Sequence, residues 1–173
     1  MHNILETERL ILREFNSSDS KGLFELNSDM EVLKYTGDKP FQSELEALRF
    51  IENYSDYKKN GFGRWAVIYK DTKGFLGWCG LKLNNDGLVD IGFRFFKKTW
   101  NNGLATESAK AVLDYGFDVL NLNEIIGRSS VENKASIRVL EKINMKFWKI
   151  ENYENLGKTA YYRIHKKSAT KLD

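Results

Sequence analysis

Between residues 65 and 131 the hydrophobic period changes from strand to helix and back, and that change limits the fold more than any other feature. Residues 65–69, 75–83 and 88–96 read as strands, separated by Asp71-Thr72-Lys73-Gly74 and by Asn84-Asn85-Asp86-Gly87. The second of these is a strong hairpin signal, and tight turns join antiparallel neighbours. Ala105, Ala109, Val112, Leu113, Gly116, Phe117 and Leu120 then recur at helical spacing, and residues 124–131 form another apolar strand. A strand, a long helix and a strand need a crossover, which puts one parallel pair inside an otherwise antiparallel sheet. The expected class is a mixed α/β (α+β) fold.

The flanks fit that frame. Residues 9–15 read as a strand, 17–27 as a short helix carrying Leu23, Phe24 and Leu26, and 30–42 as a loop holding the single proline, Pro40. Ser43 and Glu46 have capping-box spacing, and Ala47, Phe50, Tyr54 and Tyr57 continue a helix to Asn60-Gly61. Asn133 is placed to cap a helix carrying Ile137, Leu140 and Ile143. Two last strands, 147–153 and 159–165, turn around Asn155, Leu156 and Gly157. No linker or repeat divides the 173 residues, so a single domain over 1–173 is expected.

Composition removes several functions. The net charge is +3 with both signs mixed along the chain, without the dense basic stripe of a nucleic-acid binder. One cysteine and two histidines leave no intramolecular disulfide and argue against a metal site. No apolar run has membrane-spanning length, and acids near the start stand where a secretory signal needs an apolar stretch. A cytoplasmic protein, a monomer or homodimer, is expected. Lys166, Lys167 and Lys171 read as a solvated basic end.

Residues 90–107 carry the chemistry. A strand ends, a polar loop with one glycine follows, and a helix begins. Amides at a helix start lack intrahelical partners and carry the positive end of the helix dipole, so they make an anion site. Gly103 has no side chain to keep a phosphate away, and Ala105 keeps the next position small; a plain strand-turn-helix corner is the competing reading. Gly-x-x-x-x-Gly-Lys-Ser/Thr is absent. Gly61-Phe62-Gly63-Arg64-Trp65-Ala66 imitates a dinucleotide fingerprint, but it follows a helix and opens a strand, the reverse of that motif.

This region resembles the signature of the GNAT acyl-CoA N-acyltransferases. It is most similar to their ribosomal-protein N-terminal acetyltransferase-like branch, which reads Glu-Ile-Gly-Tyr-Trp and then Trp-Gly-Lys-Gly-Tyr-Ala-Thr-Glu. Thr7-Glu8-Arg9-Leu10-Ile11-Leu12-Arg13 is similar to that branch's opening strand, and the segment from Asn133 through Ser136 to Lys142 to its later Asn-x-x-Ser helix. The matches fall in family order over nearly the whole chain. The resemblance implies a central, mostly antiparallel sheet of about seven strands with about four helices, and a splayed strand pair that binds acyl-CoA. It implies acetyl-CoA as cosubstrate and an amine as acceptor, either a protein N-terminus or a small molecule such as a polyamine, an amino-sugar drug or an amino-acid derivative. Asn101, Asn102, Gly103, Leu104, Ala105 and Thr106 would hold the CoA pyrophosphate through backbone amides. Phe93 and Phe95 would offer strand backbone to the pantetheine, with Asn133 and Ser136 near the pantetheine and the sulfur.

Three positions depart from the pattern. Trp100 replaces the superfamily's frequent Arg or Gln, Asp90 replaces the branch's Glu, and Leu140 stands where some members carry a tyrosine that protonates the leaving thiolate. Asp90 is the candidate base, directly or through a water, and Ser136 a candidate donor to the sulfur. Glu107 reads as a first-turn helix acid. Tyr161 and Tyr162 are candidate acids if the final strand faces the thiol; as strand neighbours they point to opposite faces, one expected in the core and one at the surface. Cys79 reads as an inert buried thiol and His165 as a solvated strand end. Trp65 and Trp78 are candidates to line an acceptor site, with core packing the favoured reading. Residues 35–41 are the candidate wall of an acceptor site. A non-catalytic acyl-CoA-binding or protein-interaction module on the same fold is the competing function.

Overall fold

The computed structural model describes residues 3–153 and 156–166. Its strands are β1 (Asn3–Glu6), β2 (Leu10–Arg13), β3 (Arg64–Tyr69), β4 (Phe75–Leu83), β5 (Val89–Phe95), β6 (Glu124–Ser130), β7 (Lys146–Tyr153) and β8 (Gly157–His165). Its α-helices are α1 (Ser20–Leu26), α2 (Met30–Leu33), α3 (Glu44–Glu52), α4 (Asp56–Asn60), α5 (Leu104–Asp118) and α6 (Lys134–Lys142). The strands form one sheet in the order β1-β2-β3-β4-β5-β6-β8-β7. Among the described residues only β5 and β6 run parallel, and α5 is the crossover between them, as the change of period requires.

Alternation along the strands divides the core. Trp65, Val67, Cys79, Leu81, Ile91 and Ile125 pack with Ala109, Val112 and Leu113 of α5 and Leu140 of α6. Between the sheet's other face and helices α1–α3, Leu23, Leu26, Val32, Ala47 and Ile51 meet Phe75, Trp78 and Phe96. Arg64, Trp78, Asp90, Arg94 and Arg128 alternate with the first set, so their side chains belong to this second face, called the front face below.

The class expected from the sequence is the one observed, with eight strands rather than about seven and six α-helices rather than about four among the described residues. The extra strand is β1, whose four residues carry too short a pattern to show periodicity. The segment read as a loop from residue 30 begins with the single turn of α2. The helix expected from Ser43 to Gly61 breaks in two. The break falls at residues 53–55, and the tyrosine in it and the one just after it, in α4, clamp Arg64 with their hydroxyls: Tyr54 Oη accepts from its amide at 2.7 Å, and Tyr57 Oη donates to its carbonyl. The apolar spacing survives the break because Phe50, Tyr54 and Tyr57 still stack in sequence. At the start of α3, Ser43 Oγ accepts from the Glu46 amide at 3.2 Å, whereas the Glu46 carboxylate reaches back one residue further, to the Gln42 amide at 2.6 Å. Asn155, in the expected final turn, and Lys167 and Lys171 of the basic end lie outside the described residues.

Candidate active site

The parallel contact between β5 and β6 is two pairs long, Asp90 with Ile126 and Ile91 with Gly127. Beyond it the sheet divides. β5 stays on β4 as far as Gly77 opposite Phe95, and β6 stays on β8 as far as Ser130 opposite Thr159. The Phe96 amide bonds back to Leu76 on β4 at 3.1 Å, so alternation turns the peptide groups of Phe93 and Phe95 away from β4 and into the opening. Trp100 Nε1 donates to the Phe95 carbonyl at 2.8 Å, which fills that acceptor and ties the following loop to the strand.

That loop leads into α5 through two residues with left-handed backbone, Asn101 (φ 62°) and Gly103 (φ 77°). Gly103 is the N-cap of α5 and supplies no side-chain cap. The first amide to find a backbone acceptor is that of Glu107, on Gly103 O at 2.9 Å. Among the described residues, the amides of Asn101, Asn102, Gly103, Leu104, Ala105 and Thr106 meet no acceptor. These six N–H groups lie at the positive end of a 15-residue helix, a ready anion site. A Cβ on Gly103 would meet only Arg9 Nη2, at 3.6 Å, so backbone conformation rather than crowding favours glycine there.

Glu107 locks the first turn of α5 to the β1–β2 connection. It accepts from Thr7 Oγ1 at 2.5 Å, the Arg9 amide at 3.0 Å and Arg9 Nε at 2.7 Å, while Arg9 Nη1 reaches Asn102 O at 3.1 Å. Burial pushes the Glu107 carboxyl up, but the bonds from Thr7 and Arg9 and the guanidinium charge outweigh it and hold it below the ordinary carboxylate value.

The opposite lip of the opening is the start of α6. Asn133 Oδ1 caps it by accepting from the Ser136 amide at 3.1 Å, so the carboxamide oxygen is used within the chain and the Ser136 hydroxyl lies in the first turn. Leu140 is 1% exposed and packs where a Cβ on Gly127 would meet it, which makes it a core residue. Tyr162 faces α6, its hydroxyl 3.2 Å from Glu141. Tyr161 faces the other way, yet both are buried, 4% and 7% exposed. The surface position expected for one of them is corrected by Trp148, Tyr153 and Arg128, which cover Tyr161. Cys79 is fully buried and desolvation pushes its thiol up to about 12, an inert group at neutral pH. His165 pairs across the strand end with Glu124 at 3.4 Å.

The front face holds a network that the sequence does not announce. Asp90 Oδ1 accepts from Arg64 Nη2 at 2.7 Å, and its Oδ2 lies 3.5 Å from Arg128 Nη1. Arg128 also grips Asp86 in the β4–β5 hairpin and lies over the rings of Tyr153 and Tyr161. Arg64 reaches Asp90 by crossing β5 at Gly92, where a Cβ would stand 2.6 Å from its guanidinium carbon. Arg94 holds Asn27 and Asp38, each at 2.5 Å, and burial holds its guanidinium below the ordinary value despite Asp38. Trp78 lies between Arg64 and Arg94, while Trp65 is core. Asp90 is thus counter-ion to two guanidiniums. Its partners come from strands 26 residues before and 38 after it (90 − 64 and 128 − 90), and only the sheet register places them together. The expected acceptor wall is present in part. Tyr35 and Gly37 line a cavity of about 350 Å³ with Ser130, Glu132 and Lys158, whereas Phe41 stacks on Phe50 inside the helical layer.

A family model described as Acetyltransferase (GNAT) domain matches residues 9–146. The chain is 34% identical over 143 residues to the uncharacterized N-acetyltransferase p20 of Bacillus licheniformis, covering 81% of this chain and 80% of that protein. A solved GNAT-family acetyltransferase from Bacillus anthracis superposes with a TM-score of 0.80 at 30% identity, covering 94% of this chain and 98% of that one. A spermidine N-acetyltransferase from Vibrio cholerae, solved with CoA and spermine, shares the fold with a TM-score of 0.78 at 20% identity, over 92% and 97% of the two chains. The chain belongs to the GNAT acetyltransferase family and is an acetyl-CoA-dependent N-acetyltransferase. No helix among the described residues is long and apolar enough to cross a membrane.

Proposed function

We propose that residues 1–173 act as one unit that transfers acetyl from acetyl-CoA to a primary amine by direct attack, without a covalent enzyme intermediate. The observation that carries this is the set of six unpartnered amides at the start of α5, directly beside the parting of β5 and β6. In this reading the amides of residues 101–106 hold the CoA pyrophosphate. The pantetheine enters the opening along the Phe93 and Phe95 backbone, with Asn133 and Ser136 on the other lip. A β5 backbone N–H polarises the thioester oxygen, and positioning supplies much of the rate.

An alkylammonium, with a pKa of roughly 10, must lose a proton before it attacks. Asp90 stands on the front face at the last paired positions, and its Oδ2 accepts no hydrogen bond among the described residues. In the proposal it takes that proton directly or through one water, while Arg64 and Arg128 fix the carboxylate. The amine nitrogen bonds to the carbonyl carbon, the C–S bond breaks, the electron pair leaves on a sulfur hydrogen-bonded by Ser136, and the surplus proton on nitrogen passes to that thiolate, giving the amide and free CoA thiol.

The test is amine-dependent release of free thiol from acetyl-CoA. A non-catalytic module would bind acetyl-CoA and release none. Asp90→Asn should lower turnover by about a hundredfold, with a smaller loss at high pH, where the amine is already neutral. It should also cost about 3 kcal/mol of stability, because Arg64 loses its counter-ion and Arg128 keeps only Asp86. Near-normal turnover at neutral pH would leave Asp90 only its counter-ion role.

A further inference from the structure

Arg128 and Ser130 stand two residues apart on β6, so their side chains share the front face. Ser130 lines the 350 Å³ cavity, whose charged groups are Lys34 and Lys158 against a single acid, Glu132. The neighbouring acids of that face are already taken: Asp90 by Arg64 and Arg128, Asp86 by Arg128, and Asp38 by Arg94. Arg128 itself is 2% exposed, and its Nε and Nη1 have no hydrogen-bond partner among the described residues. Buried donors left empty are rare and costly, and a cationic surround lowers the energy of an anion that comes near.

A polyamine brings only further positive charge to such a face. From the cavity with its two lysines, the paired acids and the two Arg128 nitrogens without a hydrogen bond, we propose that the acceptor is a small amine that also bears a carboxylate, an amino acid or a close derivative. Its carboxylate lies between Lys34 and Lys158, in the field of Arg128, and its amine points to the parting of β5 and β6. The cavity has room for a molecule of that size rather than for a folded partner. This inference rests on the acetyltransferase reading of the same face.

Product-type ligands test it without depending on turnover. N-acetylalanine, N-acetylphenylalanine and N-acetylglutamate, each beside its α-carboxamide, are titrated by calorimetry into protein saturated with CoA. At least one carboxylate should bind ten times more tightly than its amide or better. The double variant Lys34→Ala/Lys158→Ala, at two exposed positions, should erase that difference while leaving CoA affinity and melting temperature unchanged. Equal binding of acids and amides, no binding of any carboxylate, tighter binding of N1-acetylspermidine, or an undiminished preference in the double variant would each overturn the inference while the acetyl-CoA reading stands. Failure of CoA itself to bind would overturn both.

Discussion

Two helices border the opening in the sheet, and they begin in opposite ways. α6 is closed by its own chain, since Asn133 gives its side-chain oxygen to the amide of Ser136. α5 is left open: its N-cap is a glycine in left-handed conformation, and six amides before Glu107 have no partner among the described residues. Open ends are usually satisfied by side chains, and exposed ones by water. Here the open end belongs to the longest helix and is held rigidly by Arg9 and Glu107. In the proposed reading the unfilled start on its frame is where the CoA pyrophosphate sits, whereas the cap of the filled start serves the scaffold.

The comparison breaks most directly at Gly103. Gly103→Val should weaken CoA by roughly a hundredfold, the worth of one or two charge-assisted hydrogen bonds, and pantetheine much less. Gly103→Ala should cost about 1 kcal/mol of stability from the positive φ alone. Parallel losses of CoA and pantetheine, measured by calorimetry on the folded variants, would return residues 101–106 to an ordinary turn.

Removing the frame rather than the amides should have a smaller effect. Arg9→Ala frees the loop carbonyl of Asn102 and removes the guanidinium beside Gly103, and CoA affinity should fall about tenfold with pantetheine little changed. Unchanged CoA affinity would show that the open amides are organised without it.

Glu107 sharpens the same point through pH. Its folded value is depressed, so its contribution is complete above the unfolded carboxylate value of about 4.3 and is lost as pH falls through the folded value. Acid titration of stability should therefore show a loss below about pH 4.3 that Glu107→Gln lacks. Identical acid limbs would remove the carboxylate from the frame. Smallest of all, Asn133→Ala should cost about 1 kcal/mol, the value of a helix cap, and change CoA affinity less than about twofold. A large CoA loss with intact stability would make Asn133 a ligand contact and blur the contrast between the two helices.

Much of this was legible in the chain. The β3–β5 meander, the α5 crossover, the Asn133 cap and the loop at Gly103 all rest on local spacing, which a sequence displays. What stayed hidden depends on register. Arg64, Asp90 and Arg128 meet because β3, β4, β5 and β6 are neighbours in a particular alignment, and no local pattern encodes that alignment. The break between α3 and α4 was hidden for a related reason. The apolar spacing of Phe50, Tyr54 and Tyr57 is helical across the break, and the bonds of two tyrosine hydroxyls to Arg64 are not written in that spacing. β1 lacked the length to show any period, and Tyr161 is buried by side chains from β6 and β7, which its own alternation cannot report.

The passage of Arg64 over Gly92 bears on how such a chain can change over generations. The glycine of Asp90-Ile91-Gly92 has no turn to make; it is small because an arginine from another strand crosses its surface. Positions 64 and 92 are therefore physically coupled. A side chain at position 92 would push the tip of Arg64 off Asp90 and leave that carboxylate with Arg128 alone. What position 92 tolerates is set by one side chain's route across a strand.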